Sequence, residues 1–183
     1  AGLAEVVNYG VILDDPFFGY LEDNVSAIME RDSSTLQAIV QRCCELKARV
    51  VEADEHETSG LRSVLNYGHT FCHALEAATS YEQLLNGEGV AIGMLCESRL
   101  AERWGRVDAK LTAGHHNLPT ALGLPSAVPD VDHSELVRLM YHDKKAAGGE
   151  LRFVLPARLG HVELVGDVPD DEILAALAGD ATT

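Results

Sequence analysis

The chain has 183 residues, with 29 Asp plus Glu against 14 Lys plus Arg and a formal charge of -15. With 46% hydrophobic and 23% charged residues it has the composition of a folded protein, and its length favours one domain over several. A pI near 4.8 argues against nonspecific nucleic-acid binding, because a phosphate backbone would meet a surface of its own sign.

No apolar run approaches the roughly 18 to 20 residues that a membrane span requires. The opening AGLAEVVNYG lacks the basic start and apolar middle of a signal peptide. The chain is therefore expected to be soluble and cytoplasmic. Cys43, Cys44, Cys72 and Cys96 have no CxxC or zinc-finger spacing, and they are expected as reduced, mostly buried thiols.

Taken in order, residues 1–11 open directly in an apolar helical pattern. Pro16 starts a second predicted helix carrying Phe17, Phe18, Leu21, Val25 and Ile28. Ser34 with Gln37 reads as a capping box, followed at helical spacing by Leu36, Ile39, Val40, Cys43, Leu46 and Val50. After a polar break at 54–60, a third long helix is predicted from Arg62 to Thr79. A fourth follows from Glu88 to Trp104, with Gly105 at its C-cap. Gly89 and Gly93 stand four apart in it, which suits close packing of a neighbouring helix. A weaker helix spans 109–121, and Asp132 with Glu135 caps another through Tyr141. LRFVLP and HVELVG flank ARLG as a β-hairpin, and Pro169 starts a short terminal helix, with the acidic tail expected as a solvated face. The fold class expected is mainly α: a single helical domain over residues 1–183 with one small β-hairpin near the C-terminus.

Arg62, Asn66, His69, His73 and Glu76 are spaced +4, +3, +4, +3, which on a continuous helix puts all five on one narrow face. A guanidinium, an amide, two imidazoles and a carboxylate are groups that hold an anion or a metal. An ordinary wet face with two incidental histidines is the competing reading. His69 and His73 could converge on one ion, but a complete site needs ligands from elsewhere in the chain. His115 and His116 point about 100° apart on a helix and are expected at the surface. His56, His133, His142 and His161 have no partner at diagnostic spacing, and Trp104 and Tyr81 read as packing residues.

The segments AEVVNYGVILDDPFF, ELKARVVEADE, LNYGHTFCHALE, NGEGVAIGM and DKKAAGGELRFVLPARLG occur in that order. Together they make the chain, from Ala1 to Gly166, resemble the helical C-terminal domain of the 3-dehydroquinate synthase family. The resemblance implies an active site shared with an NAD-binding N-terminal domain that is absent from this chain. It also implies conversion of 3-deoxy-arabino-heptulosonate 7-phosphate into 3-dehydroquinate and phosphate in the shikimate pathway.

By the same resemblance Glu5 and His69 are ligands of a divalent metal, usually zinc. Lys47, Arg62, Asn66, His73, Lys144 and Lys145 bind the substrate carboxylate and phosphate, while Glu57 and His73 stand near the chemistry. Three positions depart from the family. Asn8 replaces a lysine of the motif AEVIKYG; in HGEAVAIGM, Asn86 replaces a metal-ligand histidine and Gly89 an alanine. An amide oxygen is a poor substitute for imidazole on zinc, so a weakened metal site is expected.

NAD is expected only through the separate domain, and the isolated chain is expected to be inactive. Expected partners are the phosphorylated keto acid, the NAD-binding domain and a second copy in a homodimer, without nucleic acid or membrane. Two other readings stand beside this one: a sister sugar-phosphate cyclase, and a catalytically silent binding or assembly module of the same fold.

Overall fold

The helix from Asn86 to Arg103 (α6) is buried on nearly every side from Gly87 to Ala101, and the other elements pack around it. The computed structural model describes residues 1–56, 60–80, 84–146 and 150–179, apart from the side chains of residues 144–146. Before α6 come α1 (Gly2–Leu13), α2 (Asp15–Asp23), α3 (Val25–Met29), α4 (Ser33–Ala53), a 3-10 helix (Leu61–Asn66) and α5 (His69–Ala78). After it come α7 (Ala109–Ala121), α8 (His133–Ala146), β1 (Arg152–Arg158), β2 (His161–Gly166) and α9 (Asp170–Ala178). Among the described residues, no helix is long and apolar enough to cross a membrane. The predicted architecture, mainly α with a C-terminal hairpin, is the one observed.

Two apolar clusters meet along α6. Val7, Val11, Phe18, Leu21, Ile39, Leu46, Tyr67 and Leu118 form one with Val90, Ala91 and Met94 of its first half. Phe71, Leu75, Leu136, Met140, Phe153, Leu155 and Ile173 form the other around Ile92, Cys96 and Leu100. Trp104 packs at the margin of the second cluster, as expected, while Tyr81 lies outside the described residues. The terminal helix is not wholly solvated: Ile173, Ala176 and Leu177 are buried behind an acidic first turn.

The hairpin is antiparallel, with Phe153 opposite Val165 and Leu155 opposite Glu163, and its register shifts between Pro156 and Arg158. Its turn docks on α1, where the Gly160 N–H donates to the Val11 carbonyl at 2.8 Å.

The predicted helix boundaries are corrected in several places. The helix expected from Pro16 through Ile28 breaks at Asn24, whose Nδ2 donates back to the Tyr20 carbonyl at 2.8 Å. The cap of α4 is Asp32 rather than Ser34, because a carboxylate two residues earlier gathers three donors at once: Thr35 N and Thr35 Oγ1, each at 2.8 Å, and Ser34 Oγ at 2.6 Å. The helix expected to end near Tyr141 runs on to Ala146.

The largest correction falls in the helix expected over Arg62–Thr79. It is two segments, a 3-10 turn and α5, separated by Tyr67 and Gly68. Gly68 has φ +83, a conformation open to glycine and costly for other residues. Two hydrogen bonds fix this corner against α6, around a fully buried Tyr67: its hydroxyl donates to the Met94 carbonyl at 3.0 Å, and the Gly68 N–H donates to Glu97 Oε2 at 2.6 Å.

His115 also departs from expectation. It is buried rather than exposed, its Nδ1 lying 2.9 Å from the Leu111 carbonyl and its ring edge-on to Tyr67. His116 is exposed. Of the four free thiols, Cys72 and Cys96 are buried, Cys43 is half-buried and Cys44 is exposed.

Candidate metal and substrate site

Glu5 lies on α1 and His69 begins α5, so their meeting is tertiary. His69 Nε2 stands 3.7 Å from Glu5 Oε1. Two ligands held about 2.0–2.2 Å from one tetrahedral ion sit about 3.4 Å apart, so this pair needs only a few tenths of an ångström of closure to share an ion. The other ring nitrogen of His69, Nδ1, lies 3.2 Å from the Tyr67 carbonyl. Among the described residues, no group of three or more His, Cys, Asp and Glu could hold a metal.

Asn86 stands at the start of α6. Its Nδ2 donates to Glu76 Oε1 at 3.1 Å and approaches Cys72 Sγ at 3.8 Å. The Cys72 thiol in turn points at the Asn86 carbonyl at 3.5 Å. Burial, reinforced by the carboxylates of Glu76 and Glu5, pushes the Cys72 thiol up to about 12, so the sulfur is present as S–H.

The substitution at Gly89 is explained here: a Cβ on Gly89 would lie 2.7 Å from Cys72 Sγ but 3.6 Å from Cys72 Cβ. The sulfur fills the space that an alanine side chain would take. Gly89→Ala is accordingly expected to cost about 2 kcal/mol in the native chain and less than about 0.5 kcal/mol in a Cys72→Ala background. Urea unfolding of the four proteins measures the coupling, and additive effects would show that the two positions do not compete for one volume.

The stripe of polar residues is split by the corner at Gly68. His69 and His73 share α5, with ring centroids 6.0 Å apart in an edge-to-face arrangement. His73 Nδ1 is 3.8 Å from Asp143 Oδ2, which brings α5 beside the last turns of α8, the turns that carry Lys144 and Lys145. The side chains of those two lysines lie outside the described residues, as does Glu57.

Arg62 and Asn66 sit on the 3-10 helix and line a cleft with Asp54, Gly60, Ser63 and Leu65. Lys47 is exposed on α4, which packs against α1 and the 3-10 helix. Arg152 was not anticipated; with Asn66, Ser63 and Thr70 it lines a second cleft of about 360 Å³, between the 3-10 helix and the hairpin. Its signal in the sequence is a cation at the head of a strand whose next five residues, Phe153 to Ala157, are all apolar.

Residues 2–146 match the family model described as 3-dehydroquinate synthase C-terminal. A 3-dehydroquinate synthase from Rhodopirellula baltica is 47% identical over 177 residues, spanning 97% of this chain and 47% of that protein. One from Desulforamulus reducens is 45% identical over 179 residues, spanning 97% of this chain and 50% of its own length. The chain thus spans about half the length of these relatives.

Among solved structures, ValA, a 2-epi-5-epi-valiolone synthase from Streptomyces hygroscopicus subsp. jinggangensis with NAD+ and Zn2+ bound, superposes with a TM-score of 0.85 at 26% identity. The match covers 97% of this chain and 49% of that one. A 2-deoxy-scyllo-inosose synthase complexed with carbaglucose-6-phosphate, NAD+ and Co2+ shares the fold with a TM-score of 0.75 at 23% identity, over 94% of this chain and 50% of its own. With the motif order, the helical fold and these matches in agreement, the chain belongs to the 3-dehydroquinate synthase family and corresponds to its C-terminal domain.

Proposed function

We propose that the chain is the metal- and substrate-binding half of a cytoplasmic 3-dehydroquinate synthase, acting on 3-deoxy-arabino-heptulosonate 7-phosphate together with an NAD-binding half. The observation that carries this reading is the approach of His69 Nε2 to Glu5 Oε1 at 3.7 Å, made by residues from two different helices. These two would hold a divalent ion, zinc by analogy with ValA. Such an ion, when bound, polarises a substrate hydroxyl and lowers its pKa ahead of oxidation by NAD.

The other assignments come from the family resemblance, and the chemistry of the substrate supports them. A substrate bearing a carboxylate and a phosphate calls for cationic partners, and Arg62 offers the bidentate fork, with Asn66 beside it on the same turn. Lys47 adds charge from α4, and His73, with Lys144 and Lys145 on α8, would take the phosphate. Glu57 belongs to the same proposal. Asn86 is the weak point of the metal site, because its amide nitrogen is engaged by Glu76 and only its oxygen is left to offer an ion. The similarity to ValA keeps a sister cyclase as the second reading, and the 45–47% identity to dehydroquinate synthases favours the first.

Calorimetric zinc titration tests the site. Asn86→His is expected to tighten zinc at least tenfold, about 1.4 kcal/mol, and His69→Ala to weaken it at least as much. Zinc affinity indifferent to both changes would favour the silent-module reading. Turnover of the phosphorylated keto acid is expected only when an NAD-binding half is supplied, and a coupled assay with and without that half checks it.

A further inference from the structure

Asn8 is one of the departures from the family, and neither the metal nor the substrate assignments give it a task. It follows Glu5 by three residues on α1, yet its side chain is only 2% exposed, too deep for a group whose business is with solvent. Its Nδ2 donates to the Tyr67 carbonyl at 2.8 Å. That carbonyl also faces His69 Nδ1 at 3.2 Å. A carbonyl oxygen has two lone pairs and can accept from both.

The Tyr67 carbonyl belongs to the corner between the 3-10 helix and α5, and the first bond of α5 runs instead from Cys72 N–H to the Gly68 carbonyl at 3.1 Å. Side chains are therefore left to fix it. A ring nitrogen can bond a carbonyl only by donating, so the contact selects the imidazole with its hydrogen on Nδ1. The lone pair then lies on Nε2, the nitrogen that faces Glu5. In metal-binding histidines the bond made by the far nitrogen sets both tautomer and ring orientation.

We infer that Asn8 is a positioning residue: by holding the Tyr67 carbonyl, it keeps His69 in the Nδ1–H tautomer with Nε2 presented to a divalent cation. The inference rests on the proposed metal role of His69. The lysine of the family motif would bring a charge to this place, whereas the amide brings a neutral donor that is engaged by a backbone oxygen.

Nitrogen-15 NMR of the histidine rings in the metal-free full chain, with zinc calorimetry alongside, tests it. The neutral ring of His69 is expected to carry its hydrogen on Nδ1. In Asn8→Leu, which keeps the branched shape and removes the donor, the two tautomers are expected to mix and zinc to bind about tenfold more weakly, the lower end for loss of a residue that supports a ligand. An unchanged tautomer and unchanged zinc affinity in Asn8→Leu, even with a lowered Tm, would make Asn8 a packing residue and overturn the inference. If Asn8→Leu does not fold, the native chain still decides, because a hydrogen on Nε2 of His69 overturns the inference by itself. Zinc affinity unaffected by His69→Ala would instead remove the metal reading, and the ring measurement would still judge the tautomer lock.

Discussion

As pH falls from 6.5 to about 4, the chain is expected to lose about 3 kcal/mol of stability through His115 alone. Burial lowers the pKa of this histidine from 6.5 to about 4, and the bond to the Leu111 carbonyl offsets only part of that. The ring sits between Phe18 and Tyr67, and its Nε2 has no hydrogen-bond partner among the described residues. Tyr67 cannot supply a counter-charge, because its own burial raises the phenol well above 10 and keeps it neutral.

The sign follows from proton counting. Above pH 6.5 the ring is neutral in both states and contributes no pH dependence. Between 6.5 and 4 the unfolded chain takes up a proton that the folded chain refuses, so stability falls with pH, and below about 4 both states are protonated. His115→Leu removes the difference. Urea unfolding of native and variant chains at several pH values in this window isolates the effect from that of the carboxylates. Parallel curves would show that the ring is not the neutral buried group described here.

Much of the fold is legible in the sequence because periodicity, caps and burial agree. α4 and α6 carry long apolar patterns, and the ARLG turn between two β-rich runs marks the hairpin. The break at Tyr67–Gly68 is not legible from periodicity, since Arg62, Asn66, His69, His73 and Glu76 keep helical spacing across it. The one local sign is Gly68 itself, and what makes the corner are partners far along the chain, Met94 and Glu97. The burial of His115 is hidden for the same reason: nothing local to α7 shows that Phe18 and Tyr67 close over it.

The site divides likewise. Spacing alone singles out His69 and His73, whereas Glu5 comes from another helix and only resemblance to a family points to it. Asn8 and Asn86 stood out as departures, but their partners, the Tyr67 carbonyl and Glu76, are tertiary facts.

Gly93→Ala is expected to destabilise the chain by about 3 kcal/mol, the upper end for overpacking, and to weaken metal binding as well. A Cβ at this position would lie 2.0 Å from the Gly68 carbonyl oxygen and 2.8 Å from its carbon. Both are backbone atoms, so no rotamer change relieves the contact. The Gly68 peptide is also tied down, its N–H to Glu97 at 2.6 Å and its carbonyl to the first helical bond of α5 at 3.1 Å. The added methyl must therefore push α5 away from α6, and His69, the next residue, moves with it away from Glu5. Gly19→Ala is the control, because nothing lies within 4 Å of its added Cβ and the position is inside α2. It should be neutral or stabilise by about 0.5–1 kcal/mol, the gain of alanine over glycine in a helix. Urea unfolding gives the stability difference and zinc calorimetry the affinity. A Gly93→Ala chain as stable as the native one would mean that α5 and α6 are not held at this contact, and that something other than the Gly68 corner sets the approach of His69 to Glu5.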